Sequence, residues 1–406
     1  MKITAKRLRL AMRSPAHLSW AVRHVLRGSP VGRLERYLPG GYALKPSLIT
    51  VNVTGRCNLR CAMCMQPRGK EGAGGSTGDD DTATLRAGQS ELTPEQWLRV
   101  VDQATWARPA FYFTGGEPLL YRGLDEILEG IKRRGMIAAL VTNGSLLERQ
   151  AERLVEIGVD NVTVSLDGPE EVHDRIRCVA GTFQRAVEGI RAVQEARRRA
   201  SSRYPALKVN CVITPDSIDT LLETYAVVRR LGVEELNFQH PIFDSPENVA
   251  RHNRVFAEAL GDHRENGGQR HEDSPATQAS KREGEFYDMR LSEEQFRRLE
   301  ANLDAVLAET SPRPRVLFFP SVARRDWWGY YLDLGYPFQN RCTMPWRTMR
   351  LLADGAFEPC LHYVVGNPLD TPLWDLWNSP RMRRFRRALR RHDLFPACAR
   401  CCYRDY

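Results

Sequence analysis

Between residues 47 and 240, short apolar runs alternate with longer amphipathic segments, and this alternation predicts a parallel α/β sheet. The runs that predict strands lie at 47–54, 110–114, 137–142, 161–166, 208–213 and 235–239. The segments with helical spacing lie at about 93–107, 123–134, 147–157, 182–200, 218–231 and 291–307. Six strands with helices between them indicate a partial (β/α)6 barrel of the TIM type.

The rest of the chain divides into an N-terminal extension and a smaller C-terminal module. We expect residues 1–45 to form a basic helical extension, residues 46–314 the barrel, and residues 315–406 the module. Two polar stretches near 69–88 and 261–285 have few apolar side chains to bury. We therefore expect them to be disordered insertions in the barrel. A chain of 406 residues is long enough to hold more than one domain.

The net charge of +9 belongs to the extension, because residues 1–45 hold ten Lys and Arg but only one acid. Apolar residues after Ser14-Pro15 follow at helical spacing. This predicts either a helix packed on the barrel or a basic helix, within residues 1–40, that binds an anionic membrane surface or an acidic partner. No signal peptide and no membrane-length apolar run is evident. We expect a cytoplasmic protein, free or peripheral to the membrane.

Three cysteines, Cys57, Cys61 and Cys64, directly follow the first predicted strand with the spacing C-x3-C-x2-C. A cubane iron–sulfur cluster has four irons, and structural clusters usually fill all four positions with cysteine. Three thiolates leave one iron without a protein ligand, so that iron can bind another molecule. A catalytic zinc site likewise keeps one coordination position for water or substrate. The loop leaves the carboxyl end of a strand, where α/β barrels place their chemistry.

This spacing and the motifs after it resemble the radical S-adenosylmethionine (SAM) superfamily over roughly residues 47–241. The run Gly115-Gly116-Glu117-Pro118 follows the second strand, and Asn143 and Ser165 end the next two. The chain departs from the family at Met63, where an aromatic residue is usual. The resemblance implies a SAM-binding [4Fe-4S] cluster, reductive cleavage of SAM to a 5′-deoxyadenosyl radical, and hydrogen abstraction from substrate. It also implies an electron donor such as flavodoxin or ferredoxin.

The same resemblance assigns the SAM contacts. The implied residues are Met63, Gly115, Gly116, Glu117, Pro118, Asn143, Ser165, Asp167 and Arg177. The two glycines have no Cβ and are expected to let the backbone approach SAM. Arg177 offers a planar fork for the SAM carboxylate. Asp167 is either a further polar contact or simply part of an Asp-Gly turn.

The C-terminal module has cysteines of its own, at Cys342, Cys360, Cys398 and Cys401, with Gly355 placed for a turn before Cys360. It resembles the twitch module, which is a shortened SPASM extension, and this implies one auxiliary [4Fe-4S] cluster. A zinc site with four thiolates is the alternative. Cys402 competes with Cys401 as a ligand, and the C-x2-C spacing favours Cys401.

Two cysteines lie outside both sets. Cys178 follows Arg177, near the implied SAM pocket. It is either a hydrogen donor to a substrate radical or a small buried residue, since free cysteines are often buried. Cys211 lies within a predicted strand and is expected to belong to the core.

The stretch Arg381–Arg391 contains seven arginines, which would suit a nucleic-acid partner. However, four apolar residues recur within it at helical spacing: Met382, Phe385, Ala388 and Leu389. We therefore expect a helix with one buried stripe and a solvated arginine face, and no nucleic-acid partner.

The C-terminal cysteine spacing looks like that of radical SAM dehydrogenases that act on aminocyclitols, and related twitch enzymes epimerise sugars. We therefore expect a small-molecule substrate, with epimerisation or dehydrogenation at a carbinol carbon of a small sugar or aminocyclitol. The alternatives are a maturase that crosslinks ribosomal peptides, a lipid-modifying enzyme and a non-catalytic metal-binding scaffold.

Overall fold

The computed structural model describes six stretches of the chain: 34–64, 90–260, 289–309, 311–338, 341–360 and 363–402. Most of the expected N-terminal extension lies outside these residues. The two expected insertions, near 69–88 and 261–285, also lie outside them. The basic helix and the disordered insertions therefore stay predictions.

Eight strands form one sheet, and every neighbouring pair runs parallel. They are β1 (Leu48–Thr54), β2 (Ala110–Gly115), β3 (Ile137–Thr142), β4 (Asn161–Ser165), β5 (Ala206–Val212), β6 (Glu235–Gln239), β7 (Arg315–Phe319) and β8 (Thr348–Leu351). Their spatial order is β7-β6-β5-β4-β3-β2-β1-β8. Sequential parallel strands linked through helices make the TIM-like partial barrel that the alternation predicts.

Strands β7 and β8 were not predicted, although all six expected strands are present. β7 pairs with β6, and β8 pairs with β1, so these two strands form the edges of the sheet. Each is a short run of five or four residues that lies outside the alternation of strands and helices between 47 and 240, so no such context marks it as a strand. Both come from the region assigned to the C-terminal module, so the sheet extends across the expected division at residue 315.

Eleven α-helices are present in the described part of the chain. They are α1 (Pro94–Ala104), α2 (Leu124–Arg133), α3 (Leu147–Ile157), α4 (Glu170–Arg177), α5 (Thr182–Arg199), α6 (Leu221–Leu231), α7 (Pro246–Leu260), α8 (Glu293–Ala308), α9 (Trp327–Leu332), α10 (Leu373–Trp377) and α11 (Pro380–His392). Ser292 caps α8 as expected, by accepting from the Gln295 backbone N–H. Helices α4, α7, α9 and α10 were not predicted. None of these helices is long and apolar enough to cross a membrane.

The two faces of the sheet differ in polarity. Strand residues on the outer, helix-facing side are apolar and fully buried, including Val51, Leu140, Val162, Val209 and Leu236. Burying each such side chain contributes about 1.5–3 kcal/mol. Residues that are in register across neighbouring strands lie on the same face of a parallel sheet. The face opposite to the helices, the inner face, carries polar residues. They include Thr50, Tyr112, Thr163, Lys208 and Glu235.

Helix α11 buries its apolar stripe as expected, but its arginine face is not simply solvated. Arg386 is fully buried, and its guanidinium donates to the carbonyl of Pro345 and to the side chain of Asn378, both at 2.8 Å. Arg383 stacks over the Tyr42 ring, and Arg387 donates to the carbonyl of Gly40 at 2.9 Å. The expectation of a solvated face is wrong at these positions, because the arginines hold the segment before β1.

Candidate active site at the cysteine loop

The loop with Cys57, Cys61 and Cys64 leaves the carboxyl end of β1, and its backbone is held from two sides. The Glu117 N–H donates to the carbonyl of Arg56 at 2.8 Å, and the Ala62 N–H donates to the carbonyl of Ile176 at 2.9 Å. Cys61 is buried, Cys57 is partly buried and Cys64 is exposed. The three thiols therefore lie in a fixed loop that is open to solvent on one side.

Gly115 and Gly116 have a packing reason to be glycine. A Cβ at Gly115 would lie 2.5 Å from the carbonyl oxygen of Thr54, and one at Gly116 would lie 2.0 Å from that of Arg56. Gly115 also has a φ of +123°. The pair lets the end of β2 pack directly against the cysteine loop. Their expected close approach to SAM stays a prediction.

Glu117 joins the ends of β2 and β3 through its side chain. This carboxylate accepts from the Thr142 hydroxyl and the Asn143 N–H, both at 2.7 Å, and from the Leu119 N–H at 3.1 Å. Burial raises the pKa of Glu117, and these donors partly offset that rise. This role of the Glu117 side chain was not predicted. The neighbouring Pro118 begins a short 3-10 turn, Pro118–Leu120.

Asn143 and Ser165 both lie at the carboxyl edge of the sheet, as expected. The Asn143 amide donates to the Asn58 side chain at 2.9 Å, so it contacts the cysteine loop. Ser165 is half-buried at the end of β4. Met63 is partly buried and packs against the hydrophobic core. The structure therefore brings these predicted residues to one edge of the sheet, around the cysteines.

Arg177 and Asp167 form a buried ion pair beside Cys61. An Arg177 guanidinium nitrogen lies 2.5 Å from an Asp167 carboxylate oxygen, and another donates to the Cys61 sulfur at 3.6 Å. Burial raises the pKa of the Cys61 thiol, and the Arg177 cation counteracts this rise. Burial alone would lower the pKa of Arg177, but Asp167 and Cys61 more than offset it, so it lies above its usual value.

Cys178 ends α4 in a left-handed conformation, with a φ of 57°. It is exposed, so the alternative of a small buried residue is wrong. The thiol donates to the carbonyl of Arg175 at 3.5 Å. Its role as a hydrogen donor stays a prediction. Cys211 is fully buried in β5, which confirms its place in the core.

The second set of cysteines gathers around Cys398. Burial raises the pKa of the Cys398 thiol, and the neighbouring thiolates of Cys360, Cys342 and Cys401 raise it further. Gly355 forms the expected turn, with a φ of 82° and its N–H donating to the carbonyl of Leu352 at 2.8 Å. These four thiols therefore lie near one another, and the choice of Cys401 over Cys402 as a ligand stays a prediction.

Cys402 lies between that group and the barrel. A hydrogen bond with Cys401 and then burial raise the pKa of Cys402, and the Arg350 cation lowers it. Burial raises the pKa of Tyr112, on the inner face of β2, to about 12, and Cys402 adds to this rise. The Cys402 thiol thus lies near strands β2 and β8.

Polar residues form a row across the inner face beside Cys402. Thr50 is in register with Tyr112 on one side and with Arg350 on the other. Thr50 is 1% exposed, and its hydroxyl finds no hydrogen-bond partner in the described structure. Arg350 is paired with Glu358 at 2.6 Å. Sequence analysis missed this row, although polar residues at every second strand position signal it.

The donor sets fit iron–sulfur clusters. Each set consists of thiols that lie within electrostatic reach of one another. The Arg177 cation beside Cys61 suits a thiolate ligand. Across the described ranges, no group of three or more His, Cys, Asp or Glu is close enough to hold a single metal ion.

Two parts of the chain match known protein families. Residues 51–233 match the profile of the radical SAM superfamily, and residues 342–402 match the SPASM profile, described as an iron-sulfur cluster-binding domain. The fold and both cysteine sets define an iron–sulfur enzyme built on a partial α/β barrel. The chain belongs to the radical SAM superfamily and carries a SPASM-type module at its C-terminal end. Its cofactors are a SAM-binding [4Fe-4S] cluster, an auxiliary [4Fe-4S] cluster and SAM.

The relatives carry out varied chemistry. The chain is 32% identical over 181 residues to the Fe-coproporphyrin III synthase of Methanosarcina barkeri, covering 44% of this chain and 42% of that one. It is 28% identical over 198 residues to the PqqA peptide cyclase of Granulibacter bethesdensis, covering 48% of each. The chain therefore spans about half the length of these curated relatives.

Solved structures share the fold over most of the chain. SuiB of Streptococcus suis bound to SAM superposes with a TM-score of 0.58, at 14% identity, over 91% of this chain and 72% of that one. The native anSMEcpe with bound AdoMet gives a TM-score of 0.53, at 18% identity, over 83% and 82%. At these identities the likeness concerns the fold alone.

Proposed function

We propose that Cys57, Cys61 and Cys64 hold the SAM cluster of this radical SAM enzyme, and that the group around Cys398 holds the auxiliary cluster. When bound, SAM and its cluster supply hydrogen-atom abstraction, and the auxiliary cluster supplies one-electron chemistry. The proposed SAM contacts at the sheet edge are Met63, Gly115, Gly116, Glu117, Pro118, Asn143 and Ser165. These residues surround the cysteine loop, which supports this assignment.

We further propose a small hydroxyl-rich substrate, such as a sugar or aminocyclitol, that reacts at a carbinol carbon. The observation that carries this proposal is the polar row of Arg350, Thr50 and Tyr112. A buried hydroxyl without a partner, as at Thr50, is costly unless a ligand supplies one. Thr50 lies about 13 Å along β1 from the end of that strand, beneath the cysteine loop.

The charges of the row suit a neutral substrate. Glu358 neutralises Arg350, and Tyr112 carries its proton at physiological pH because its pKa is about 12. Tyr112 also forms a hydrogen bond with the side chain of Thr163. The role of these residues is to orient hydroxyl groups, with Thr50 able both to donate and to accept.

The substrate proposal is tested with anaerobic wild-type enzyme and a panel of sugars and aminocyclitols, by measuring 5′-deoxyadenosine. A true substrate raises its formation, and Thr50→Val lowers the coupled rate about 10–100-fold, as expected for one lost buried hydrogen bond. The uncoupled SAM cleavage stays unchanged. Thr224→Val is the matched control, because that buried hydroxyl bonds to the Thr220 carbonyl, away from the row. Equal losses in both variants contradict the proposal.

Epimerisation and dehydrogenation differ in the fate of the substrate radical. Epimerisation requires a hydrogen donor, for which Cys178 is the candidate. Cys178→Ala should then still produce 5′-deoxyadenosine but lose the inverted product, and wild type should take up one solvent deuterium at that carbon. A product lighter by two hydrogens, formed equally by both proteins, identifies a dehydrogenase.

A peptide substrate is the second candidate, and the similarity to a PqqA peptide cyclase favours it. The titles of two structures that share the fold also name peptides: SuiB bound to precursor peptide SuiA, and anSMEcpe with the Cp18Cys peptide. Peptides encoded beside the gene are the relevant probes. If such a peptide gains a crosslink, while no sugar or cyclitol stimulates SAM cleavage, the carbinol proposal fails.

A further inference from the structure

Helix α11 presents positive charge to solvent without acidic partners in the described structure. The helix contains seven arginines and no acid. Arg384 and Arg391 are exposed, and their spacing of seven residues places them on one face of the helix, opposite the buried stripe. Neither forms a salt bridge with any described residue. The nearest acid along the chain, Asp393, pairs with Arg36 at 3.0 Å and with Arg341 at 3.8 Å instead.

This lack of pairing is not general among the exposed arginines of the protein. Arg229 on α6 pairs with Glu309 at 2.8 Å, and Arg298 on α8 pairs with Asp219 at 2.9 Å. A paired charge adds little to the field around the molecule, whereas unpaired charges of one sign add together and attract an oppositely charged partner. The exposed face of α11 is therefore suited to an anionic partner.

The arginines beside this face are fixed by the segment before β1, which also exposes aromatic rings. Arg383 stacks over the Tyr42 ring, 4.5 Å from its centroid, and Arg387 donates to the carbonyl of Gly40 at 2.9 Å. Tyr37 is 51% exposed and Tyr42 is 48% exposed. Arginine and tyrosine are enriched in protein–protein interfaces, where rings bury apolar area and arginines bind acids. This composition favours a protein as the partner.

The same surface extends to the auxiliary cysteines. Arg341 is exposed and directly precedes Cys342, so the Cα atoms of these two residues are about 3.8 Å apart. The Arg341 guanidinium donates to the Tyr37 hydroxyl, and it also contacts Asp393, which directly follows α11. A protein bound to the exposed face of α11 and to Arg341 is therefore next to one of the proposed auxiliary ligands.

We propose that an acidic one-electron carrier protein, of the flavodoxin or ferredoxin kind, docks on this surface and exchanges electrons with the auxiliary cluster. We call it the arginine surface, and it consists of Tyr37, Tyr42, Arg341, Arg384 and Arg391. In each encounter one electron passes between carrier and cluster, so one is oxidised as the other is reduced and no bond is broken. The inference rests on the proposed assignment of the auxiliary cluster to the group around Cys398.

The test measures association of full-length protein, loaded with both clusters under anaerobic conditions, with an oxidised flavodoxin and with an oxidised ferredoxin. Stopped-flow mixing at increasing salt gives the association rate constant. Wild type should associate fast at low salt and more slowly as salt screens the charges. Arg384→Glu/Arg391→Glu should lower the rate constant about 10–100-fold at low salt and flatten its salt dependence.

Arg149→Glu/Arg230→Glu is the matched control, because both arginines are exposed on other helices and the net charge changes by the same amount. The control should associate nearly as fast as wild type. A second measurement follows reduction of the auxiliary cluster by the reduced carrier, which should slow in Arg384→Glu/Arg391→Glu. Dithionite is a small reductant that needs no docking, so it should reduce this variant as it reduces wild type, and the iron content should be unchanged.

The inference is overturned if wild type associates with neither carrier faster than a neutral pair, at about 10⁵–10⁶ M⁻¹s⁻¹, or if both double variants lose the same fraction of the rate. It is also overturned if Arg384→Glu/Arg391→Glu loses binding to phosphatidylglycerol vesicles or to DNA but associates with both carriers as wild type does. Failure of the proposed function looks different: wild type then contains no auxiliary cluster iron, while association at the arginine surface persists.

Discussion

The two cysteine sets of this protein are built in different ways. The SAM-cluster set occupies eight consecutive positions, 57–64, in one loop whose backbone is held by Glu117 and Ile176. The auxiliary set extends over residues 342–401 and comes together only when β8, α11 and the last turn have packed. The first site is therefore local and depends on the loop after β2 and on the end of α4. The second is a product of tertiary structure and depends on the stability of the whole module.

The largest expected effect separates the two sets by function. Replacing Cys57, Cys61 and Cys64 together by alanine should abolish SAM cleavage, because no thiolates remain to hold the open iron. Iron should fall from about eight to about four per chain, since the auxiliary cubane stays. The measurement is iron and sulfide analysis with a 5′-deoxyadenosine assay under dithionite. Residual SAM cleavage in the triple variant shows that the ligand assignment is wrong.

A backbone substitution tests how local the first site is. The added Cβ of Gly116→Ala would meet the Arg56 carbonyl at 2.0 Å, so the cysteine loop must move. We expect overpacking of about 1–3 kcal/mol and loss of the SAM cluster, with the auxiliary iron retained. Gly335→Ala is the control, because the nearest atom to its Cβ is a side-chain oxygen at 3.3 Å. If Gly116→Ala keeps both clusters, the loop is not held by this contact.

This difference also explains what the sequence could predict. The loop cysteines and Gly115-Gly116-Glu117 are contiguous motifs, so their meeting at the sheet edge follows from two adjacent strands. The fold class was confirmed because the alternation of strands and helices is a local pattern, and the auxiliary cluster was confirmed through its resemblance to a known module. Edge strands β7 and β8 were missed because their pairing with β6 and β1 is non-local.

Side-chain partners were harder to predict than elements. The arginines of α11 looked solvated because their partners, the carbonyls of Gly40 and Pro345, lie far away in sequence. Likewise, nothing in the order of residues shows that Asp167 and Cys61 share the Arg177 guanidinium. The unpartnered Thr50 hydroxyl depends on the packing of several strands, and no local pattern reports that.

Arg400 allows a test of the auxiliary site that corresponds to the Gly116→Ala test of the SAM-cluster site. It is 1% exposed, and it donates to the carbonyls of Tyr330, Gly329 and Asp333 at the end of α9. Arg400→Met leaves these acceptors without a donor, and we expect a loss of about 3 kcal/mol. The auxiliary iron should be lost while the SAM cluster remains. Denaturant unfolding and iron analysis measure both effects, with the exposed Arg384→Met as control. Loss of both clusters together contradicts the separation of the two sites.

The smallest expected effect is the contribution of one buried histidine on the auxiliary side to the pH dependence of stability. His252 on α7 packs against Phe256 and Phe395 with ring centroids 5.0 and 5.9 Å away, and burial lowers its pKa to about 4. As the pH falls, the His252 ring of the unfolded chain takes up a proton near pH 6.5, whereas the folded protein does so only near pH 4. The free energy of unfolding therefore has its full value above pH 6.5 and decreases as the pH drops toward 4. Between these two pH values, one such histidine lowers the free energy of unfolding by about 1.4 kcal/mol per pH unit.

His252→Leu should reduce the pH dependence of the unfolding free energy by that one share, because leucine keeps the apolar contact with Phe395 but binds no proton. Buried His173 and His240, whose pKa values burial lowers to about 4 and about 3, keep their own shares. Phe395 lies three residues before Cys398, so auxiliary iron should be lost at a lower pH in His252→Leu than in wild type. Unfolding free energies and iron content between pH 7 and pH 5 provide the measurement, with the exposed His392→Gln as control. If the slope is the same in His252→Leu and wild type, protonation of His252 does not limit the module. The acid sensitivity then belongs to groups that both sites share.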